Sequence, residues 1–131
     1  MKKILLTLMT MVIYATSISA QNYHVTNKSS NMGKHGWGHY QNMTATIGDN
    51  SGSVGNVAIT VTPNKVVEVK NNTSIIVRVN VKINHSVDKH PDQYDNAMSD
   101  YLRPNEVWRI PYRDSYMILV KDVKLKDWKR P

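Results

Sequence analysis

Along Ser74–Ile83 apolar and polar side chains alternate one for one, with Ile75, Val77, Val79, Val81 and Ile83 on one side and Arg78, Asn80 and Lys82 on the other. Period two with β-branched residues predicts a strand half-buried in a sheet. The two cations on its wet side discourage a foreign strand from pairing onto so sticky a segment. Weaker versions of the pattern recur. Tyr40–Ile47 alternates with Met43, Ala45 and Ile47 together, before the turn formers Gly48-Asp49-Asn50-Ser51-Gly52-Ser53. Val57–Val61 predicts a strand stopped by Pro63-Asn64, and Val66–Val69 predicts another that turns at Asn71-Asn72. Glu106–Tyr112, led by Val107 and Trp108, is expected to reverse at Arg113-Asp114-Ser115 and pair as a hairpin with Tyr116–Val120. Val123 and Leu125 extend that alternation.

Two stretches lack the period. In His85–Leu102, Pro91-Asp92 has the composition of a helix start, and Tyr94, Met98, Tyr101 and Leu102 recur at helical spacing, so one short helix is expected. Gln21–Gly38 reads as an irregular, flexible arm or long loop. About six or seven short strands and at most one short helix imply an all-β domain, a β-sandwich or small barrel, over 40–131 behind an arm over 21–39. Two pieces carry a resemblance. Val67-Glu68-Val69-Lys70-Asn71-Asn72-Thr73-Ser74 leads into the long alternating strand, and Leu102-Arg103-Pro104-Asn105-Glu106 is similar to a Leu-x-Pro-Gly-Glu strand entry, with Asn105 in place of the glycine. Both resemble bacterial immunoglobulin-like domains, which implies an immunoglobulin-like β-sandwich.

Ahead of the arm, Lys2 and Lys3 precede an apolar run from Ile4 to about Ala15, and small side chains follow from Thr16 to Ala20. These are the three zones of a cleavable signal peptide over 1–20. Cleavage after Ala20 sets Ile18 at the minus-three position, and cleavage after Ser19 sets Ser17 there. The apolar run is shorter than the ~20 residues that span a bilayer. The chain has no cysteine, so neither disulfide staples nor a lipid-modified N-terminal cysteine are available to it. A soluble periplasmic or secreted protein of a bacterial envelope is expected, with no transmembrane segment after cleavage.

Charge narrows the partners. The net charge is +7, and losing Lys2 and Lys3 with the leader leaves +5. Most of it lies between Arg103 and Pro131, where eight basic residues face four acids. That bias suits an anionic polymer, with no specific nucleic-acid motif; it also suits a solvated face that keeps a small protein dispersed. Trp37, between glycines, and Trp128, in the basic tail Lys124, Lys126, Lys129, Arg130, are the aromatic candidates for a partner surface.

The candidate chemistry is sparse. His35 and His39 flank Trp37, with His24 upstream, and imidazoles suit Zn²⁺ or Cu²⁺, although Gly36 and Gly38 argue against the helix that would align them. His85, Asp88, His90, Asp92 and Asp95 offer nitrogen and oxygen ligands without the spacing of an EF-hand. There is no Gly-x-Ser-x-Gly elbow, phosphate-binding Gly-rich loop, His-Glu-x-x-His pair or cysteine nucleophile. The reading is a non-enzymatic binding or accessory module of the bacterial cell envelope, contacting an anionic polymer or another exported protein. Its alternatives are a periplasmic metal-binding protein that uses the loop histidines, and a small secreted hydrolase or toxin without a recognisable motif.

Overall fold

The computed structural model describes residues 23–30, 33–35, 38–87 and 93–131, and among these there are strands and no helix. The expected leader over 1–20, Trp37, Asp88, His90 and Asp92 lie outside the described residues. Two five-stranded sheets make a sandwich-like fold. The first comprises β1 (His24–Ser29), β4 (Met43–Asp49), β5 (Gly52–Val61), β6 (Val66–Thr73) and β9 (Val107–Pro111), in that spatial order and antiparallel throughout. The second runs β2 (Gly33–His35), β3 (Gly38–Gln41), β10 (Met117–Lys129), β7 (Ile76–Ser86), β8 (Gln93–Met98), with β3 and β10 parallel.

The core is the set of alternating positions. Ile47, Val57, Ile59, Val67 and Val69 come from the first sheet and Val77, Val79, Val81, Ile83, Ile118, Val120 and Val123 from the second, all fully buried. Each is worth roughly 1.5–3 kcal/mol of transfer from water, which is how a chain without disulfides holds its strands. Only Asn42 separates β3 from β4, so one nearly continuous segment crosses from the second sheet to the first. Its side-chain oxygen accepts the Val61 N–H (2.8 Å) and its carbonyl accepts the Ser30 N–H (3.2 Å). Gly55, at φ 124°, lies so close to β6 that a Cβ there would meet the Asn72 carbonyl oxygen at 2.3 Å.

Several expectations are corrected. Six or seven strands become two full sheets because strands exposed on both faces carry no alternation. Residues 24–29, read as arm, pair with β4 as an edge strand. Residues 93–98 form β8 against β7 where a helix was expected. Asn71 and Asn72 lie inside β6, and the reversal comes at Ser74-Ile75. The expected hairpin of Glu106–Tyr112 with Tyr116–Val120 is absent: β9 pairs with β6, whereas β10 pairs with β7 and β3. Backbone bonds from Tyr112 N–H to the Lys65 carbonyl (2.8 Å) and from Tyr116 N–H to the Ser86 carbonyl (2.6 Å) mark the crossing from one sheet to the other.

Arg103-Pro104-Asn105-Glu106 forms a β-turn closed by the Glu106 N–H on the Arg103 carbonyl (3.0 Å). Asn105 has φ 72°, the left-handed position that a glycine or asparagine fills in such a turn. The Glu106 carboxylate returns to accept the Arg103 N–H (2.8 Å).

Candidate functional site

Because Val77, Val79, Val81 and Ile83 point into the core, the even-numbered residues of β7 point outward. Register then fixes what surrounds them. On one flank Asp127, Lys124 and Asp122 of β10 oppose Arg78, Asn80 and Lys82. On the other, Met98, Asn96 and Tyr94 of β8 oppose Asn80, Lys82 and Asn84. Lys129 follows on β10 opposite Ile76, and shifts of register at Lys121 and Lys126 leave those two lysines as extra, exposed residues. The outer face of the second sheet therefore gathers Arg78, Lys82, Lys124 and Lys129 with the exposed rings of Tyr94 and Tyr101.

Cations and rings are interleaved. Lys129 Nζ lies 4.3 Å from the centre of the Tyr101 ring, and Lys82 Nζ lies 5.9 Å from that of Tyr94. The two acids on this face are already engaged. Asp122 Oδ1 accepts from Asn27 Nδ2 (2.6 Å), and Asp127 accepts from the Tyr101 hydroxyl and from the Trp128 N–H (2.8 Å). The bond from Tyr101 holds the Asp127 carboxyl below the usual carboxylate range and pushes the Tyr101 phenol up. Fixed cations beside occupied carboxylates make a surface that attracts an extended anion, and its tyrosine faces offer stacking to rings between the charges.

The outer face of the first sheet differs. Register groups Thr44, Thr46, Ala58, Thr60, Glu68 and Lys70 there, with Arg109 Nε 3.9 Å from Glu68 Oε1.

Of the residues marked out in the sequence, Lys124 and Lys129 join this face, Lys126 sits at its bulge and Arg130 extends it past β10. Trp128 does not join: it opposes Val77 on the core side of β10, partly buried, with its indole edge-on to Tyr23 at 4.5 Å. Arg78, Lys82, Tyr94 and Tyr101 escaped the sequence reading. Arg78 and Lys82 were legible only as the wet side of a strand, and Tyr94 and Tyr101 as one side of a helix. An open cleft of about 510 Å³ adjoins the face between Arg78, Met98, Leu102 and Trp108, but Asp100 and Glu106 on its wall disfavour an anion inside it.

The histidines separate. His24 opposes Gly48 at the far end of β1, while Ser29 at the near end opposes Met43. In the β2–β3 hairpin His35 opposes Gly38 and His39 opposes Lys34, and His39 also lies beside Met117. The strands thus carry His24 away from the other two. Among the described residues no three His, Asp or Glu side chains are grouped to hold a metal. His85 and Asp95 do meet, Nε2 to Oδ2 at 3.0 Å, and the Tyr112 hydroxyl donates to the same oxygen (3.0 Å). Burial, and then the bond to Asp95, push the Tyr112 phenol well above its ordinary value. Among the described residues no helix is long and apolar enough to cross a membrane. No family model, curated protein or solved structure matches the chain.

Proposed function

We propose that this chain is an exported, non-enzymatic binding module whose second-sheet outer face holds an anionic polymer of a bacterial cell envelope. The observation that carries the reading is the convergence of Arg78, Lys82, Lys124 and Lys129 with the exposed rings of Tyr94 and Tyr101 on one face. Export rests on the leader over Met1–Ala20, which delivers the domain to the compartment where such polymers lie. The sandwich serves in the manner of an immunoglobulin-like domain: a rigid scaffold whose surface, and no internal cavity, meets the partner.

The test is retention on a sulfated polysaccharide column across a salt gradient. The wild type is expected to be retained and to elute earlier as salt screens the contact. Replacing Arg78, Lys82, Lys124 and Lys129 together by alanine abolishes retention. Replacing Lys28, Lys70, Arg103 and Arg113, exposed elsewhere, changes net charge equally and leaves most of it. Equal loss from both quadruple variants would reduce the face to a contribution to net charge and overturn the proposal.

A further inference from the structure

β8 is an edge strand of the second sheet, and among the described residues nothing pairs with its outer side. Its parity is fixed by the next residue, since the Ser99 N–H donates to the Val79 carbonyl (2.9 Å). Antiparallel pairs alternate between bonded and non-bonded, so Gln93, Asp95 and Ala97 direct their backbone groups to β7. Those of Tyr94, Asn96 and Met98 point away from the sheet.

Edge strands are normally blunted by Lys, Arg, Pro, a bulge or short length. β9 carries Arg109 and Pro111, β1 carries Lys28, and β2 has three residues. β8 carries no Lys, Arg, Pro or bulge: Gln-Tyr-Asp-Asn-Ala-Met pairs with β7 over six residues without a register shift, and its one inward-facing charge, Asp95, is taken up by His85 and Tyr112. The large hydrophobic side chains exposed on the described surface also gather here, with Tyr94 60% and Met98 40% exposed on β8 and Val87 and Tyr101 just beyond its ends.

We propose that β8 pairs antiparallel with β8 of a second copy of this chain, about a twofold axis through Asn96. The pattern is self-complementary. The residues with outward backbone groups are spaced evenly about Asn96, so Asn96 meets Asn96 of the second copy as a bonded pair, and Tyr94 meets Met98 of the second copy on both sides. Each Tyr94–Met98 pair covers the exposed large hydrophobic side chains of the strand with a sulfur–aromatic contact. No like charges lie directly opposite each other, because Asp95, the one charge on β8, meets Ala97 of the second copy and is held by His85 and Tyr112. The two second sheets become one continuous sheet, and their basic faces lie side by side.

Sedimentation velocity on the full chain, in the form in which the cell accumulates it, decides the matter. The expected result is a dimer that dissociates reversibly on dilution. Asn96→Pro removes only an outward N–H, so it is expected to keep the wild-type circular dichroism and thermal midpoint while losing the dimer. Because the axis sets position 96 against itself, Asn96→Lys and Asn96→Asp are each expected to be monomeric alone and to form a dimer when mixed. A wild type that stays monomeric up to its solubility limit overturns the proposal, as does a dimer that persists in Asn96→Pro. So does a monomer that binds an acidic extended peptide through β8, which would assign the edge to a different partner.

Discussion

The two ends of β7 are tied to the first sheet in different ways. At the Val77 end the tie is Asn71, fully buried, and at the His85 end it is Asp95, whose side chain is 49% exposed. Eight residues of strand put them roughly 27 Å apart at ~3.4 Å per residue. Asn71 Nδ2 donates to the carbonyls of Ile75 (2.9 Å) and Leu102 (2.8 Å), and its Oδ1 accepts from the Thr73 N–H (2.9 Å) and hydroxyl (2.6 Å). That fills the whole hydrogen-bonding capacity of an amide. Asp95 instead gathers His85 and Tyr112 on one oxygen and leaves the rest to water. A sealed polar group specifies geometry, since any loss strands its partners in the core. An open one can exchange partners for solvent, and that freedom sits on β8, the strand with the unprotected edge.

By this contrast, Asn71→Ala is expected to be more damaging than Asp95→Ala or Tyr112→Phe. It leaves the Thr73 N–H buried without its acceptor, takes one of two donors from each of the Ile75 and Leu102 carbonyls and opens a cavity, and a loss of about 2–4 kcal/mol in a urea titration is expected. A loss as small as that of an exposed polar residue would show that water reaches the site. Asp95→Ala is expected to cost about 1–2 kcal/mol, because solvent serves His85 while the buried Tyr112 hydroxyl loses its acceptor. Tyr112→Phe is expected to cost about 1 kcal/mol or less at neutral pH, and its signature lies in the pH dependence. Folding raises the Tyr112 pKa, so its contribution is complete below the ordinary phenol value near ~10 and is lost as pH rises beyond it. The wild type should therefore lose stability in alkali faster than Tyr112→Phe, and parallel curves of unfolding midpoint against pH would remove Tyr112 from that account.

The same contrast governs what the sequence discloses. Ser74–Ile83 is legible because a central strand buried on one face must alternate, and Val57–Val61 and Val66–Val69 follow for the same reason. β8 is not legible. Tyr94 and Met98 are four residues apart, a separation that shares a face in a strand as well as in a helix, and with little burial on either side nothing breaks the tie. The Asn71 tie is hidden because Asn-Asn reads as a turn unless its distant partners are known: Leu102 lies thirty-one residues on. Lys124 and Lys129 could be picked out as charges near one end of the chain. Their union with Arg78 and Lys82 depends on β10 lying beside β7, whereas local signals at Arg113-Asp114-Ser115 favour a hairpin.

The placement of β10 also sets an order of events. It is the last of the described strands, yet it lies between β3 and β7 at the centre of its sheet. Until its thirteen residues are available, the second sheet exists only as the separate hairpins β2–β3 and β7–β8, with Val77, Val79, Val81 and Ile83 uncovered. Pairing β3 with β10 closes a loop of nearly eighty residues, a non-local contact of the kind that slows folding. A chain built this way leaves its second sheet unfinished until β10 has been made and is free to pair.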